Sequence, residues 1–255
     1  MTKHFKVMND DTGYRKAELW IYDAIGESMW FDSVSAQDVR RELKSMGDVD
    51  EINVRINSEG GDVFDGVAIF NLLRDHRPDV IVNVDGVAAS IASVVAMAGD
   101  AVVMGTSSFM MIHDPWAQTA GNAAELRATA EILERVGEEI ISAYQVRSPL
   151  DREQLRQMMH DETWMGPSDA QTFGFADDVL ETNIAARVRD SWKRNYRNAP
   201  KSGTVKCPVL AKTHQSSDAP SPLSLRLEEV NKINERVRYL KAKKEFDRIW
   251  HELRN

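Results

Sequence analysis

The chain has 255 residues, 42% of them hydrophobic and 28% charged, with a formal net charge of −8, an ordinary balance for a folded protein that excludes fibrous and low-complexity classes. One cysteine, Cys207, excludes an intramolecular disulfide framework and fits a reducing compartment, and six scattered histidines with one thiol offer no metal-ligand cluster, so neither metal nor cofactor is expected. The longest apolar run, residues 87–99, is too short to span a bilayer, and the opening MTKHFKVMNDDTGYRK lacks a signal-peptide core, so a cytoplasmic protein with no membrane partner is expected.

In chain order, AELWIYDAI (17–25) reads as a strand, and Ser35 is a plausible N-cap for a helix in which Val39, Leu43 and Met46 recur at helical spacing. INVRI (52–56) alternates as a strand and runs into the glycine turn NSEGGD, then into a helical pattern from Phe64 to Leu72. VIVNVDG gives the next strand, the small-residue run 88–98 reads as a helix, and residues 101–104 and 109–113 read as short strands. Residues 122–147 form a long amphipathic helix with Leu126, Ile132, Leu133, Val136, Ile140, Ile141 and Tyr144 on one side. Two short helices follow, over DREQLRQMM and 167–173. Strands alternating with helices predict an α/β domain with a mainly parallel sheet.

The charge is unevenly placed. Residues 1–186 carry 15 Lys and Arg against 32 Asp and Glu, whereas residues 187–255 carry 17 against 8. A boundary near 186 is expected, separating an acidic 1–186 domain from a basic appendage. Within the appendage, 187–222 reads as a flexible basic linker and 223–255 as an amphipathic helix that seeks a partner. The positive tail has no nucleic-acid recognition motif, so nucleic acid is not an expected partner.

Three stretches carry candidate chemistry. Gly60 and Gly61 follow a strand and open a helix, where glycine lets backbone amides converge on an anion, although a plain strand-to-helix turn also uses such a pair. In DGVAASIASVVAMAG, Ser90 sits where a hydroxyl and the following amide can face a cleft, with Ser93 as a competing candidate. In FMMIHDPW, His113 falls at a strand end before a proline turn. None of the three decides a function alone; their order and separations do.

INSEGG resembles the INSPGG segment of the Clp protease proteolytic subunits, GVAASIAS resembles their GxAASMG segment, and MIHDPW their MIHQP segment. ETWMGPSDAQTFGFADDV resembles their RDxFLSAxEAxEYGLVDxV. Four ordered motifs span roughly 17–180. The resemblance implies a ClpP/crotonase-like α/β fold of repeated β-β-α units, with 122–147 as a protruding handle helix. It implies a serine endopeptidase with Ser90 as nucleophile and His113 as base, and with the amides of Gly61 and Ile91 forming an oxyanion hole. The family's third member is an aspartate; Glu162 stands in that column, and Asp161 takes the role if the loop is shifted by one. A homo-oligomeric ring of six or seven subunits acting on polypeptides is implied, with an ATP-dependent unfoldase or capsid and scaffold proteins as partners. Glu59 replaces the family's proline, and the basic tail has no counterpart in the housekeeping enzyme; both features resemble Clp-like proteases of phage and prophage head maturation. An acyl-CoA hydratase or isomerase on the same fold would not need Ser90 with His113. A non-catalytic ring or scaffold subunit is the alternative reading.

Overall fold

The computed structural model describes residues 5–9, 15–27, 32–76, 78–180 and 196–199, all within one compact unit, Met1–Leu210. Apart from 196–199, the expected linker lies outside the described residues, as do the expected helix at 223–255 and the boundary at 186.

The chain opens with β1 (Phe5–Asn9) and β2 (Arg15–Ile21), paired antiparallel. A small parallel sheet follows, made of β3 (Ala24–Ile25) and β4 (Ser33–Val34). Helix α1 (Ala36–Met46) begins with a capping box, in which Ser35 Oγ accepts from the Asp38 N–H and the Asp38 carboxylate accepts from the Ser35 N–H. Then come β5 (Glu51–Ser58), α2 (Val63–Arg74) capped by Asp62, and the eleven-residue β6 (Asp79–Ala89). The short α3 (Ile91–Ala96) leads to β7 (Ala101–Gly105) and β8 (Phe109–Ile112). The long α4 (Ala123–Tyr144), α5 (Arg152–His160), β9 (Thr163–Met165), α6 (Pro167–Thr172) and β10 (Asp178–Leu180) complete the described fold.

The main sheet runs β1-β2-β5-β6-β7-β10, parallel from β2 onward. Alternation along β5 buries Ile52, Val54 and Ile56, and along β6 Val80, Val82 and Val84. Burying each such side chain contributes roughly 1.5–3 kcal/mol, so this face anchors the domain. This is the mixed α/β architecture with a largely parallel sheet that the sequence led us to expect. Two expectations change. The strand expected over 17–25 breaks after Ile21, with Ala24–Ile25 turning into the small sheet. The helix expected over 88–98 begins only at Ile91, because β6 continues as a strand through Ala89.

The extension of β6 positions the site. The first part of β6 pairs with β7, from Ile81↔Ala101 to Val84↔Met104, whereas Val87, Ala88 and Ala89 pair with Phe109, Met110 and Met111 of β8. β8 in turn pairs antiparallel with β9. The strand thus leaves one set of neighbours and joins another, and its C-terminal end lies beside that of β8.

The other face of the sheet is polar. Asp85 is buried on β6, takes a two-pronged ion pair from Arg55 and accepts from the Tyr22 hydroxyl at 2.5 Å. Burial, with the Asp85 carboxylate alongside, pushes the Tyr22 hydroxyl up to about 12. Asp85→Ala should cost about 2–3 kcal/mol in chemical denaturation, because it strands the half-buried guanidinium. Arg55→Met combined with Asp85→Leu should cost less than the single change.

Candidate active site

Three strand ends converge on one cleft. Ser90 follows the last residue of β6, and its N–H donates to the Met111 carbonyl of β8 at 2.9 Å. His113 follows the last residue of β8. Because Ile112 pairs with Thr163, the residue just before β9, Glu162, comes to the same end. His113 Nε2 lies 2.8 Å from Ser90 Oγ, within reach for proton transfer between hydroxyl and imidazole. The fold therefore brings together Ser90, His113 and Glu162, which are far apart in sequence.

Backbone strain marks the same place. Among the described residues, Ser90 (φ 55°) and Glu162 (φ 51°) are the non-glycine residues with positive φ. Each such conformation costs about 1–3 kcal/mol and persists only where its surroundings enforce it. At Ser90 the turn from β6 into α3 projects the hydroxyl into the cleft. Ser93, one turn on, is fully buried: its hydroxyl donates to the Ser90 carbonyl at 2.6 Å and lies 2.8 Å from the Tyr144 hydroxyl. Such a hydroxyl cannot meet a substrate.

Two amides lie close to the nucleophile along the chain or across the cleft. Ile25 bridges to Gly61 in parallel fashion: the Ile25 N–H donates to the Gly60 carbonyl and the Asp62 N–H to the Ile25 carbonyl, both at 2.8 Å. These two bonds point toward β3, so the intervening Gly61 N–H points away from β3, and Gly61 lines the cleft together with Ser90. A side chain at Gly61 (φ 149°) would place Cβ 2.0 Å from the Ile25 carbonyl oxygen, and one at Gly60 (φ 93°) 2.8 Å from Ser90 Cβ. Glycines thus let this turn press against both β3 and the serine. The second amide, of Ile91, opens α3 and belongs to the donors a helix leaves unpaired at its start.

Burial holds the His113 imidazole below its ordinary range and so favours the neutral base; the Glu162 and Asp114 carboxylates oppose this, while Arg197 adds to it. Asp161 caps the C-terminus of α5, and Asp114 pairs with His160 on the surface. Glu162 is buried, and its carboxylate is well supplied with donors. Trp164 Nε1 lies 3.3 Å from Oε1, the Asn198 N–H donates to Oε1 at 2.7 Å, and the Arg197 N–H donates to Oε2 at 2.9 Å. Among the described residues no hydrogen bond joins Glu162 to His113; its influence on the ring is through charge.

Residues 196–199 were not legible as part of a site. Tyr196 and Ala199 pack on the apolar cluster of Val87, Ala89, Met111 and Trp164. The Tyr196 ring meets His113 and Trp164 edge-on, each at 5.7 Å between centroids, and its hydroxyl donates to the Glu59 carbonyl at 2.6 Å. An isolated tyrosine among Lys, Arg and Asn was the only available signal. The cleft, about 720 Å³, runs from Glu59 and Gly61 past Ser90 and His113 to Tyr196, with Trp116 exposed on its rim.

A serine hydroxyl on an imidazole, beside the backbone amides of a glycine turn and a helix start, is the equipment of acyl transfer to a hydroxyl nucleophile. The model of the Clp protease family matches residues 16–183. The chain belongs to the Clp protease family. Similar proteins include the ATP-dependent Clp protease proteolytic subunit of Deinococcus radiodurans, 31% identical over 61% of this chain and 76% of that protein. Proteolytic subunit 2 of Parasynechococcus marenigrum is 34% identical over 51% of this chain and 68% of its own. The subunit of Porphyromonas gingivalis is 29% identical over 60% and 71%.

Proposed function

We propose that the protein is a serine endopeptidase with Ser90 as nucleophile. The observation that carries this reading is the 2.8 Å contact of Ser90 Oγ with His113 Nε2 at a strained strand end. Ser90 Oγ attacks the scissile carbonyl carbon while Nε2 takes its proton, and the carbonyl oxygen becomes an oxyanion held by the Gly61 and Ile91 amides. The C–N bond then breaks, the leaving amine takes the proton from Nε2, and water repeats the sequence to release the acyl group from Ser90. Glu162 stabilises the intervening imidazolium. Digestion of unfolded casein, blocked by one fluorophosphonate per subunit, tests this; digestion that survives full modification contradicts it.

Glu162, rather than Asp161, is assigned the acidic role because it is buried beside the histidine. Glu162→Gln should lower hydrolysis roughly a hundredfold or more, and Asp161→Asn should leave it nearly unchanged in the same steady-state assay. A reversed ranking moves the role to Asp161.

Assembly into a ring of six or seven subunits is part of the same reading. On α4 only Ile140, Ile141 and Tyr144 are buried, leaving Leu126 and Ile132 exposed at 44% and 55%. A neighbouring subunit would cover that stripe. Among the described residues no helix is long and apolar enough to cross a membrane, and a cytoplasmic enzyme acting on capsid or scaffold polypeptides, or on chains delivered by an ATP-dependent unfoldase, fits this reading. The alternative, a non-catalytic ring subunit, is favoured by one observation: Glu162 bonds to residues 197 and 198 rather than to His113.

A further inference from the structure

The placement of residues 196–198 is unusual for a segment beyond the peptidase fold. We propose that they form an autoinhibitory latch, which draws the Glu162 carboxylate onto its own backbone and covers His113 until it is displaced. The inference rests on the serine-peptidase reading.

Three features act in the same direction. First, the Arg197 and Asn198 N–H groups each take a different oxygen of Glu162. A carboxylate that must support an imidazolium is thereby engaged by neutral amides of the tail. Second, the Tyr196 ring meets His113 edge-on and its hydroxyl is tied to the Glu59 carbonyl, so the aromatic side chain covers one side of the base within the cleft that both line. The imidazolium formed during acyl transfer loses hydration under this cover. Third, the Arg197 cation opposes protonation of the histidine. Each effect weighs on the charged intermediate and spares the resting neutral pair, which explains why the Ser90–His113 contact is intact while its acid is turned elsewhere.

The attachment is specific yet releasable. Asn198 Nδ2 donates to the Asp161 carbonyl at 2.8 Å, and Tyr196 and Ala199 add apolar contact. Against this, Glu59 Oε2 is buried with no hydrogen-bond partner among the described residues, at the carbonyl-bearing residue that Tyr196 ties down. A buried carboxylate oxygen left unpaired costs free energy, which offsets part of what holds the latch. A polypeptide entering the cleft would compete with Tyr196 and uncover Glu59.

The test is the rate of fluorophosphonate labelling in the full-length chain. Tyr196→Ala should label Ser90 faster by roughly tenfold, a fraction of what a fully engaged general base contributes. Asn198→Pro, which removes one N–H from Glu162, should act in the same direction. A synthetic peptide of residues 190–203 should slow labelling of Tyr196→Ala again, and the same peptide with alanine in place of the tyrosine should not. Labelling unchanged or slowed in both variants, with Ser90 still modified in the wild type, overturns the latch and leaves the peptidase reading standing. Absence of Ser90 labelling in wild type and variants alike overturns both.

Discussion

Ser90→Ala should lower peptide hydrolysis by about four to six orders of magnitude while the fold survives, because removing one member of a cooperating triad removes almost all that the triad contributes. The side chain caps nothing in α3, and its hydrogen bond is to His113. Unfolding by denaturant should therefore change little. Ser90→Gly should be equally inactive but more stable than Ser90→Ala by about 1 kcal/mol, since glycine relieves the positive φ that alanine keeps. A variant that retains hydrolysis, or that loses activity only by unfolding, would show that the strained turn serves packing and not chemistry.

The second large effect is expected at Gly61→Ala. The added methyl would sit 2.0 Å from the Ile25 carbonyl oxygen, on backbone that also forms the Ile25–Gly60 and Asp62–Ile25 hydrogen bonds. Neither strand can yield without breaking these bonds, so destabilisation of about 3 kcal/mol or more is expected. The fraction that stays folded should still lose about a hundredfold or more in turnover, the effect of misplacing one oxyanion donor. Gly137→Ala is the control: its methyl would meet only Pro115 at 3.7 Å inside α4, and helix propensity should make it slightly stabilising. Thermal unfolding and turnover of both variants, measured together, separate the two contributions.

What was legible in the sequence was whatever repeats locally. Alternation gave β5, the Ser35 cap gave the start of α1, helical spacing gave α2, and the long apolar stripe gave α4. The start of the helix expected over 88–98 differs because small apolar residues suit a buried strand as well as a helix; pairing of Val87–Ala89 with β8, a long-range fact, decides for the strand there. β9 has three residues and exists because β8 lies beside it. The same limit applies to the site. Ser90 and His113 stood out in their motifs, but that Ser93 is locked to Tyr144 depends on contact with α4. Tyr196–Ala199 have no periodicity, and their place against β8 and β9 comes from side-chain packing on Trp164 and hydrogen bonds to Glu162.

The central claim is that Ser90 is an activated nucleophile, and mapping the residue modified by a fluorophosphonate probe tests it most directly. The full-length protein and its Tyr196→Ala variant would be labelled, digested and sequenced by mass spectrometry. The account predicts a single adduct on Ser90, formed faster in the variant and absent from Ser90→Ala. An adduct on Ser93 or another serine, or none in either protein, would contradict it.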